Sequence, residues 1–219
     1  DLHSFPTRRS SDLVGAEILD LALILHAEHG GGNNSSLTVH VVSSADTDTY
    51  SAIAAAIGSL KGRRHGGANI RVMEMMDDIK SHVKDWTSEK QIRDYLIKIA
   101  KREAFDGTGL IYGMGHAVYM IDGPRAVLLR ERAAKLAKEK KCEAEFRLYN
   151  LIAKVSPGVL AEVHGADKRI CPNVDFYSGF VYSMLNIPRE LYTPIFAISR
   201  IAGRSEEHTS ELQSRSAIS

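Results

Sequence analysis

The sequence predicts an all-α protein, and three observations support this prediction. Apolar residues recur at helical spacing along most of the chain, and the stretches between them are short and rich in glycine or proline. Only residues 34–44 have the β-branched composition of a strand, and no clear pairing partner follows, so strand and helix both stay open there. The clearest amphipathic helix repeats apolar residues at i, i+3, i+4, i+7 and i+8, namely Ile92, Tyr95, Leu96, Ile99 and Ala100.

The predicted helices have local start or stop signals. Asp48 can cap the second helix, Ser88 with a glutamine three residues later forms a capping box, and Pro124 is a favourable first residue. We expect Pro157 to separate two helices and Gly203 to end the last one. In chain order, the predicted helices are residues 14–29, 49–60, 69–83, 88–106, 124–140, 143–155, 159–163, 173–185 and 188–202.

The distribution of charge predicts two domains. Helices in the middle of the chain are more charged than those that flank them, so we assign residues 68–179 to a small domain and residues 14–67 and 180–203 to a larger, more buried one. Residues 1–13 and 204–219 are polar and resemble translated adapters from short-read sequencing. We expect both ends to be foreign and disordered, with flexible natural tails as the alternative.

Composition limits the classes of partner and compartment. The 219 residues are 44% hydrophobic and 25% charged, and a net charge of +1 gives no reason to expect nucleic acid or an anionic membrane. No apolar run is long enough to span a membrane. Cys142 and Cys171 lie outside any C-x-x-C pattern, which favours a reducing cytoplasm and argues against a disulfide framework.

Three histidines beside glycines suggest a functional site. They are His29, His65 and His116, and the imidazole group exchanges protons in the physiological pH range. Any one alone is better explained as a loop histidine bound by backbone, but three in one chain favour a site. His26 is open to two interpretations, a core residue or a residue that supports the site.

Three charged residues are further candidates. Asp175 lies among apolar residues, where burial raises the pKa of a carboxyl group and makes it a better base, although an N-cap role is equally compatible with the segment. Arg125 begins a predicted helix, and Arg200 lies in an apolar turn. A guanidinium there can bind a substrate carboxylate or pair with a carboxylate of the protein.

Two other kinds of site lack their required patterns. His26 and His29 are three residues apart on a predicted helix, but the His-Glu-x-x-His spacing and a cysteine pair are missing, so we expect no metal. The glycines after His29 are similar to an esterase oxyanion loop, but the chain has no Gly-x-Ser-x-Gly elbow.

Five segments together resemble the citrate synthase family, in its bacterial citrate/2-methylcitrate synthase branch. The resemblance covers residues 14–203 and rests on the order of the segments and the spacing from His29 to His65. The segments are Glu28-His29-Gly30-Gly31-Gly32-Asn33, residues 62–69, Gly113-Met114-Gly115-His116-Ala117-Val118 with Arg125, Asn173-Val174-Asp175 with Ser178-Gly179, and Ser199-Arg200.

The resemblance implies the fold and the reaction. The expected fold is a small helical domain inserted in a large helical domain, here truncated at both ends. The expected reaction joins acetyl-CoA to oxaloacetate and hydrolyses the thioester, giving citrate and coenzyme A in the tricarboxylic acid cycle. By resemblance, Asp175 is the base, His65 donates to the thioester oxygen, and His116 polarises the keto carbonyl.

The resemblance also implies the binding residues and partners. His29, Arg125 and Arg200 would bind the carboxylates of oxaloacetate, and Gly113, Met114 and Gly115 would border coenzyme A. No cofactor would be bound permanently, since acetyl-CoA is a co-substrate, and the full-length protein would be a cytoplasmic homodimer. Two alternatives remain, a 2-methylcitrate synthase that uses propionyl-CoA and an inactive truncated fragment, and no residue separates the two acyl groups.

Overall fold

A computed structural model gives the fold and describes residues 10–27, 33–62, 65–115, 124–165 and 170–216. Within these ranges the chain forms helices and no strand, which confirms the prediction of an all-α protein. In this part of the chain the helices are α1 (Ser10–Ala27), α2 (Asn34–Ser43), α3 (Thr49–Leu60), α4 (Ala68–His82), α5 (Glu89–Ala100), α6 (Pro124–Glu139), α7 (Glu143–His164), α8 (Val174–Met184), a 3-10 helix (Arg189–Leu191) and α9 (Tyr192–Ser216).

Side-chain caps fix several helix starts. Asp48 Oδ1 accepts a hydrogen bond from Ser51 N at 3.0 Å and caps α3, as the sequence predicts. At α8, Asn173 Oδ1 accepts from Asp175 N, also at 3.0 Å. Each bond satisfies a backbone donor that the first turn of a helix leaves unpaired.

The segment that was open between strand and helix is α2. Its buried residues include Ser35, Val39 and Ser43, spaced four apart on one helical face. This face packs against α3 and α9. Tertiary contacts therefore outweigh the strand propensity of the β-branched residues.

One predicted break is wrong, because α7 continues through Pro157. Val155, Val159 and Leu160 are buried on both sides of the proline, and α7 packs against α5 and α6. Burial of this face holds the helix together despite the missing backbone hydrogen bond.

The prediction of disorder at the two ends is also wrong where the structure describes them. Helix α1 begins at Ser10, within residues 1–13, and α9 passes Gly203 and ends at Ser216, within residues 204–219. The foreign origin of these ends stays a prediction.

The part of α9 after Gly203 is held by polar contacts, so the apolar periodicity of the sequence does not predict it. Arg204 is 2% exposed, and its Nη2 donates to Asn33 Oδ1 at 2.8 Å. One turn further, His208 Nδ1 lies 2.6 Å from Ser43 Oγ. Both contacts reach α2 or its N-cap, which lies more than 160 residues earlier in the chain.

A continuous apolar core includes residues from α1 and from α4 to α8. Helices α4 and α8 cross closely at Gly179, where a Cβ atom would lie 2.8 Å from Met73 Cγ. This crossing brings the start of α8 near the start of α4. The division of the chain into two domains stays a prediction. Among the described helices, none combines the length and the apolar character needed to cross a membrane.

Candidate active site

Asp175 lies in the first turn of α8, after a segment that holds it in place. Asn173, not Asp175, is the N-cap, so the N-cap interpretation of Asp175 is wrong. Within the described chain, the Asp175 carboxylate forms no hydrogen bond or ion pair. Burial raises its pKa above the ordinary value of 3.8, and the charges of Arg200 and Arg125 oppose this increase only in part.

The glycine loop is attached directly to this segment. Gly115 N donates to Cys171 O at 2.8 Å, and Asn173 N donates to Gly113 O at 2.9 Å. Met114 forms an isolated bridge with the residue that follows Cys171. Gly113 and Gly115 have φ of 77° and 93°, the left-handed region that favours glycine. The glycine loop and the start of α8 therefore form one unit.

Arg200 is 3% exposed and extends from α9 towards α1. Its Nε donates to the main-chain oxygen of His26 at 2.6 Å, and its guanidinium carbon lies 4.4 Å from the centroid of the Phe196 ring. Burial first, and then the charge of Arg204, lower its pKa to about 10. Arg200 pairs with no carboxylate in the described chain, so the ion-pair interpretation is not the one observed.

Arg125 is the second residue of α6. Its Nη1 donates to Leu25 O at 3.4 Å, at the end of α1. Its charge acts on the pKa of both Asp175 and Arg200, so the three groups belong to one electrostatic neighbourhood.

His65 lies in the turn before α4 and is partly buried. Its Nε2 lies 3.3 Å from Ser35 N, which donates, and 3.0 Å from Ser35 Oγ. Because a backbone N–H can only donate, Nε2 accepts, and the neutral imidazole carries its hydrogen on Nδ1. Burial, and then the charges of Arg200 and Arg204, lower the pKa of His65 below 6.5 and keep the ring neutral.

A cleft of about 600 Å³ opens beside His65. One wall is the start of α4, with Gly67 and Arg71, and the other wall contains Asp106 and Tyr112 from the loop before the glycines. The cleft therefore connects His65 with the chain that leads to Gly113. It is large enough for part of an elongated ligand.

The structure brings together Asp175, Arg125 and Arg200, and it places His65 within the electrostatic influence of Arg200. The other two histidines of the prediction, His29 and His116, lie outside the described residues. In the described ranges, no group of three His, Cys, Asp or Glu residues could hold a metal ion.

Sequence reasoning missed Ser35 as the partner of His65. It also left His26 undecided, although this residue is 0% exposed and contacts Arg200. The segment that contains Ser35 gave one usable signal, its position directly after the glycines and Asn33.

Fold and site together define an all-helical protein that combines acid–base groups with guanidinium groups suited to carboxylates. The chain belongs to the citrate synthase family, because the family described as "Citrate synthase, C-terminal domain" matches residues 3–218.

Curated relatives agree with this assignment. The chain is 42% identical over 193 residues to the citrate synthase of Deinococcus radiodurans and 37% identical over 198 residues to that of Synechocystis sp.. These matches cover 86% and 90% of this chain and 45% of each relative. A 2-methylcitrate synthase of Shewanella oneidensis is 36% identical over 211 residues, covering 96% of this chain and 50% of the relative.

Solved structures show the same fold. The crystal structure of citrate synthase from Pyrobaculum aerophilum matches with a TM-score of 0.76 and 30% identity, over 94% of this chain and 47% of that one. A citrate synthase from Thermoplasma acidophilum, in a ternary complex with carboxymethyl coenzyme A and oxaloacetate, matches with a TM-score of 0.69 and 27% identity, over 89% of this chain and 48% of that one. The chain thus spans about half the length of the proteins it matches.

Proposed function

We propose that the full-length protein condenses acetyl-CoA with oxaloacetate and hydrolyses the resulting thioester to citrate and coenzyme A. The observation that carries this proposal is the position of Arg200. Its charge acts on both Asp175 and His65, so a base, a neutral hydrogen-bond donor and a carboxylate-binding group share one site. The curated citrate synthases among the relatives support the same reaction.

The first step requires removal of a proton from the methyl group of acetyl-CoA, which is a weak acid. Asp175 is suited to accept it, because a desolvated carboxylate with a raised pKa is a stronger base than one in water. His65 would donate its Nδ1 hydrogen to the thioester oxygen, where negative charge develops in the enolate. The neutral imidazole can make this donation, because the backbone N–H of Ser35 donates to Nε2 and the ring hydrogen is therefore on Nδ1.

The second substrate would be held by the arginines. Arg200 and Arg125 would bind the carboxylates of oxaloacetate, with His29 as a further ligand. His116 would polarise the keto carbonyl that the enolate attacks. The loop of Gly113, Met114 and Gly115 would border coenzyme A. The ternary complex of the Thermoplasma acidophilum relative contains a coenzyme A derivative and oxaloacetate, which supports these two kinds of substrate.

A second candidate is 2-methylcitrate synthase, with propionyl-CoA in place of acetyl-CoA. The Shewanella oneidensis relative, which matches 96% of this chain, favours it. The third is that the 219-residue chain alone is an inactive fragment, because it spans about half of each relative.

We further propose a cytoplasmic homodimer that acts in the tricarboxylic acid cycle, with a small domain at residues 68–179 between large-domain segments. The positions of Cys142 and Cys171 outside any C-x-x-C pattern support a reducing compartment. Exposed apolar side chains on α2 and α3 support a covered face in the dimer; they are Leu37, Val41, Tyr50 and Ile57.

The test is release of free thiol from acetyl-CoA or propionyl-CoA in the presence of oxaloacetate. It is run on the 219-residue chain and on a chain completed with the missing family segments, each with Asp175→Asn as control. We expect turnover by the completed chain that the Asp175→Asn variant lacks. A folded, completed chain that releases no thiol from either substrate would refute the proposal.

A further inference from the structure

His26 is a fully buried histidine on α1 whose ring lacks a hydrogen-bond partner in the described part of the chain. It is 0% exposed, and neither Nδ1 nor Nε2 forms a hydrogen bond with any described residue. A phenylalanine would fill the same space without polar atoms. Because buried polar atoms are nearly always satisfied, the imidazole indicates a partner outside the described residues, and a buried water is one such partner.

The surroundings of His26 connect it to Arg200 in two ways. Its main-chain oxygen accepts the Nε hydrogen of Arg200 at 2.6 Å. Its ring centroid lies 4.8 Å from that of Phe196, and the same Phe196 ring lies under the Arg200 guanidinium. Any displacement of His26 therefore displaces Arg200.

Two more buried polar atoms near His26 lack partners in the described chain. They are Nη2 of Arg200 and the hydroxyl of Tyr182, whose ring centroid lies 6.4 Å from that of His26. A neutral imidazole offers one acceptor and one donor, Nη2 offers donors, and a hydroxyl offers both. One buried water can join such a set, because a water bound in a protein typically makes about three hydrogen bonds.

The imidazole is uncharged in this position. Burial, followed by the charges of Arg200 and Arg125, lowers the pKa of His26 to about 3. A carboxylate in the same place would bind Arg200 strongly and would compete with a substrate carboxylate. A neutral acceptor leaves the charge of Arg200 available.

We propose that His26 is a positioning residue for Arg200, which it holds through its main-chain oxygen and, by one buried water shared with Tyr182, through its imidazole. Nε of the guanidinium is then occupied by the main-chain oxygen of His26 and Nη2 by the water, and Nη1 is left for the dicarboxylate. This inference rests on the proposed function for the identity of that dicarboxylate.

The test measures hydrogen exchange at the Arg200 guanidinium by ¹⁵N NMR in the 219-residue chain and in its His26→Phe and His26→Gln variants. The guanidinium signals are assigned as those that the Arg200→Lys variant lacks. Loss of a hydrogen bond to a charged group corresponds to a factor of about ten, so we expect the Nη2 hydrogens to exchange about tenfold faster in His26→Phe. The Nε hydrogen should stay protected in the same variant, because its acceptor is the backbone. The Gln variant should restore slow exchange, since it also offers an uncharged donor and acceptor.

Other results would overturn the proposal. Unchanged Nη2 exchange in His26→Phe would show that the imidazole does not hold Arg200, and equal acceleration at Nε and Nη2 would show a general loss of packing. If His26→Phe does not fold, Tyr182→Phe replaces it, with the same expected acceleration at Nη2.

Calorimetric titration with oxaloacetate separates this inference from the proposed function. We expect the dissociation constant to rise about tenfold in His26→Phe, in proportion to the lost hydrogen bond. A completed wild-type chain that does not bind oxaloacetate would count against the proposed substrate, while the exchange rates at Arg200 would still decide the role of His26.

Discussion

Ser35 fixes the tautomer of His65. The backbone N of Ser35 lies 3.3 Å from Nε2 of the imidazole, and the hydroxyl lies 3.0 Å from the same atom. Arg204 Nη2 donates to that hydroxyl oxygen at 3.0 Å, and the hydroxyl itself donates to Asn33 Oδ1 at 2.8 Å, so the backbone N–H of Ser35 is the donor to Nε2. The start of α2 therefore determines which nitrogen of His65 can serve as a donor.

Ser35→Ala should reduce turnover without abolishing it. The variant removes the hydroxyl that contacts Nε2 and ties Ser35 to Asn33 and Arg204, but it keeps the backbone donor to Nε2, so the ring loses part of its orientation. Loss of one neutral hydrogen bond corresponds to about 0.5–1.5 kcal/mol, and we expect kcat to fall about three- to tenfold with little change in KM. Thiol release by the completed chain measures both constants. Ser44→Ala, an exposed serine just after α2, is the control, and equal kcat values for the two variants would contradict the prediction.

Asp175→Asn should stabilise the fold at neutral pH while it removes activity. The folded-state pKa of Asp175 is raised above 3.8, so the folded chain binds more protons than the unfolded chain just above this pH. The contribution of the carboxyl group to stability is complete below pH 3.8 and is lost as pH rises through the folded-state pKa. Asparagine stays neutral and avoids this loss.

Urea unfolding of both forms at pH 3 and pH 7 measures the effect. We expect the midpoint of Asp175→Asn to exceed that of the wild type at pH 7 and to approach it at pH 3. Turnover should fall by about 10²–10⁴-fold, the usual contribution of a general base. A variant that is less stable than wild type at pH 7 would show that the carboxylate is satisfied in the folded state.

The sequence alone predicted the charged groups of the candidate site, but it did not predict the residues that hold them in place. Asp175 and Arg200 were predicted because a charge in an apolar segment is conspicuous, and His65 because glycines surround it. Ser35 and Arg204 were missed because their contacts are polar and join segments far apart in the chain, which no local periodicity records. Helix α2 was undecided for the same reason, since packing on α3 and α9 determines its conformation.

Two adjacent glycines beside His65 should respond differently to alanine. A Cβ atom at Gly66 would lie 2.2 Å from the main-chain oxygen of Leu60, whereas one at Gly67 would meet nothing within 4 Å. Relief of the clash at Gly66 must move the turn that carries His65, at a cost of about 1–3 kcal/mol or more. Chemical unfolding should show this loss for Gly66→Ala and a much smaller change for Gly67→Ala. Similar stability of the two variants would contradict the packing described for this turn.

Arg204→Gln should raise the pKa of His65. The charge of Arg204 is one of three causes that lower this pKa, after burial and Arg200. The folded-state pKa lies below 6.5, so protonation of His65 destabilises the folded chain as pH falls from 6.5 through that pKa. The variant should bring the folded-state pKa closer to 6.5 and so reduce this loss of stability. NMR titration of the His65 ring measures the shift. Arg71→Gln, in the same cleft, is the control and should leave the pKa unchanged; a wild-type value in Arg204→Gln would contradict the prediction.

Alanine substitutions at Gly113 and Gly107 distinguish the cost of backbone strain from the cost of a steric clash. Both have positive φ, 77° and 69°, so alanine at either position has the same unfavourable backbone conformation. At Gly113 a Cβ atom would also lie 2.8 Å from Val72 Cγ2 and from Phe176 Cδ2, whereas at Gly107 nothing lies within 4 Å. We therefore expect Gly107→Ala to destabilise by about 1 kcal/mol and Gly113→Ala by about 2–4 kcal/mol.

Because Phe176 follows Asp175 in α8, the clash at Gly113 should also displace Asp175. Gly113→Ala should then lower thiol release by the completed chain more than its loss of stability explains at temperatures where it stays folded. Gly107→Ala should keep normal turnover, since its backbone strain is confined to an exposed turn. Normal turnover in a folded Gly113→Ala variant would show that the glycine loop and Asp175 move independently.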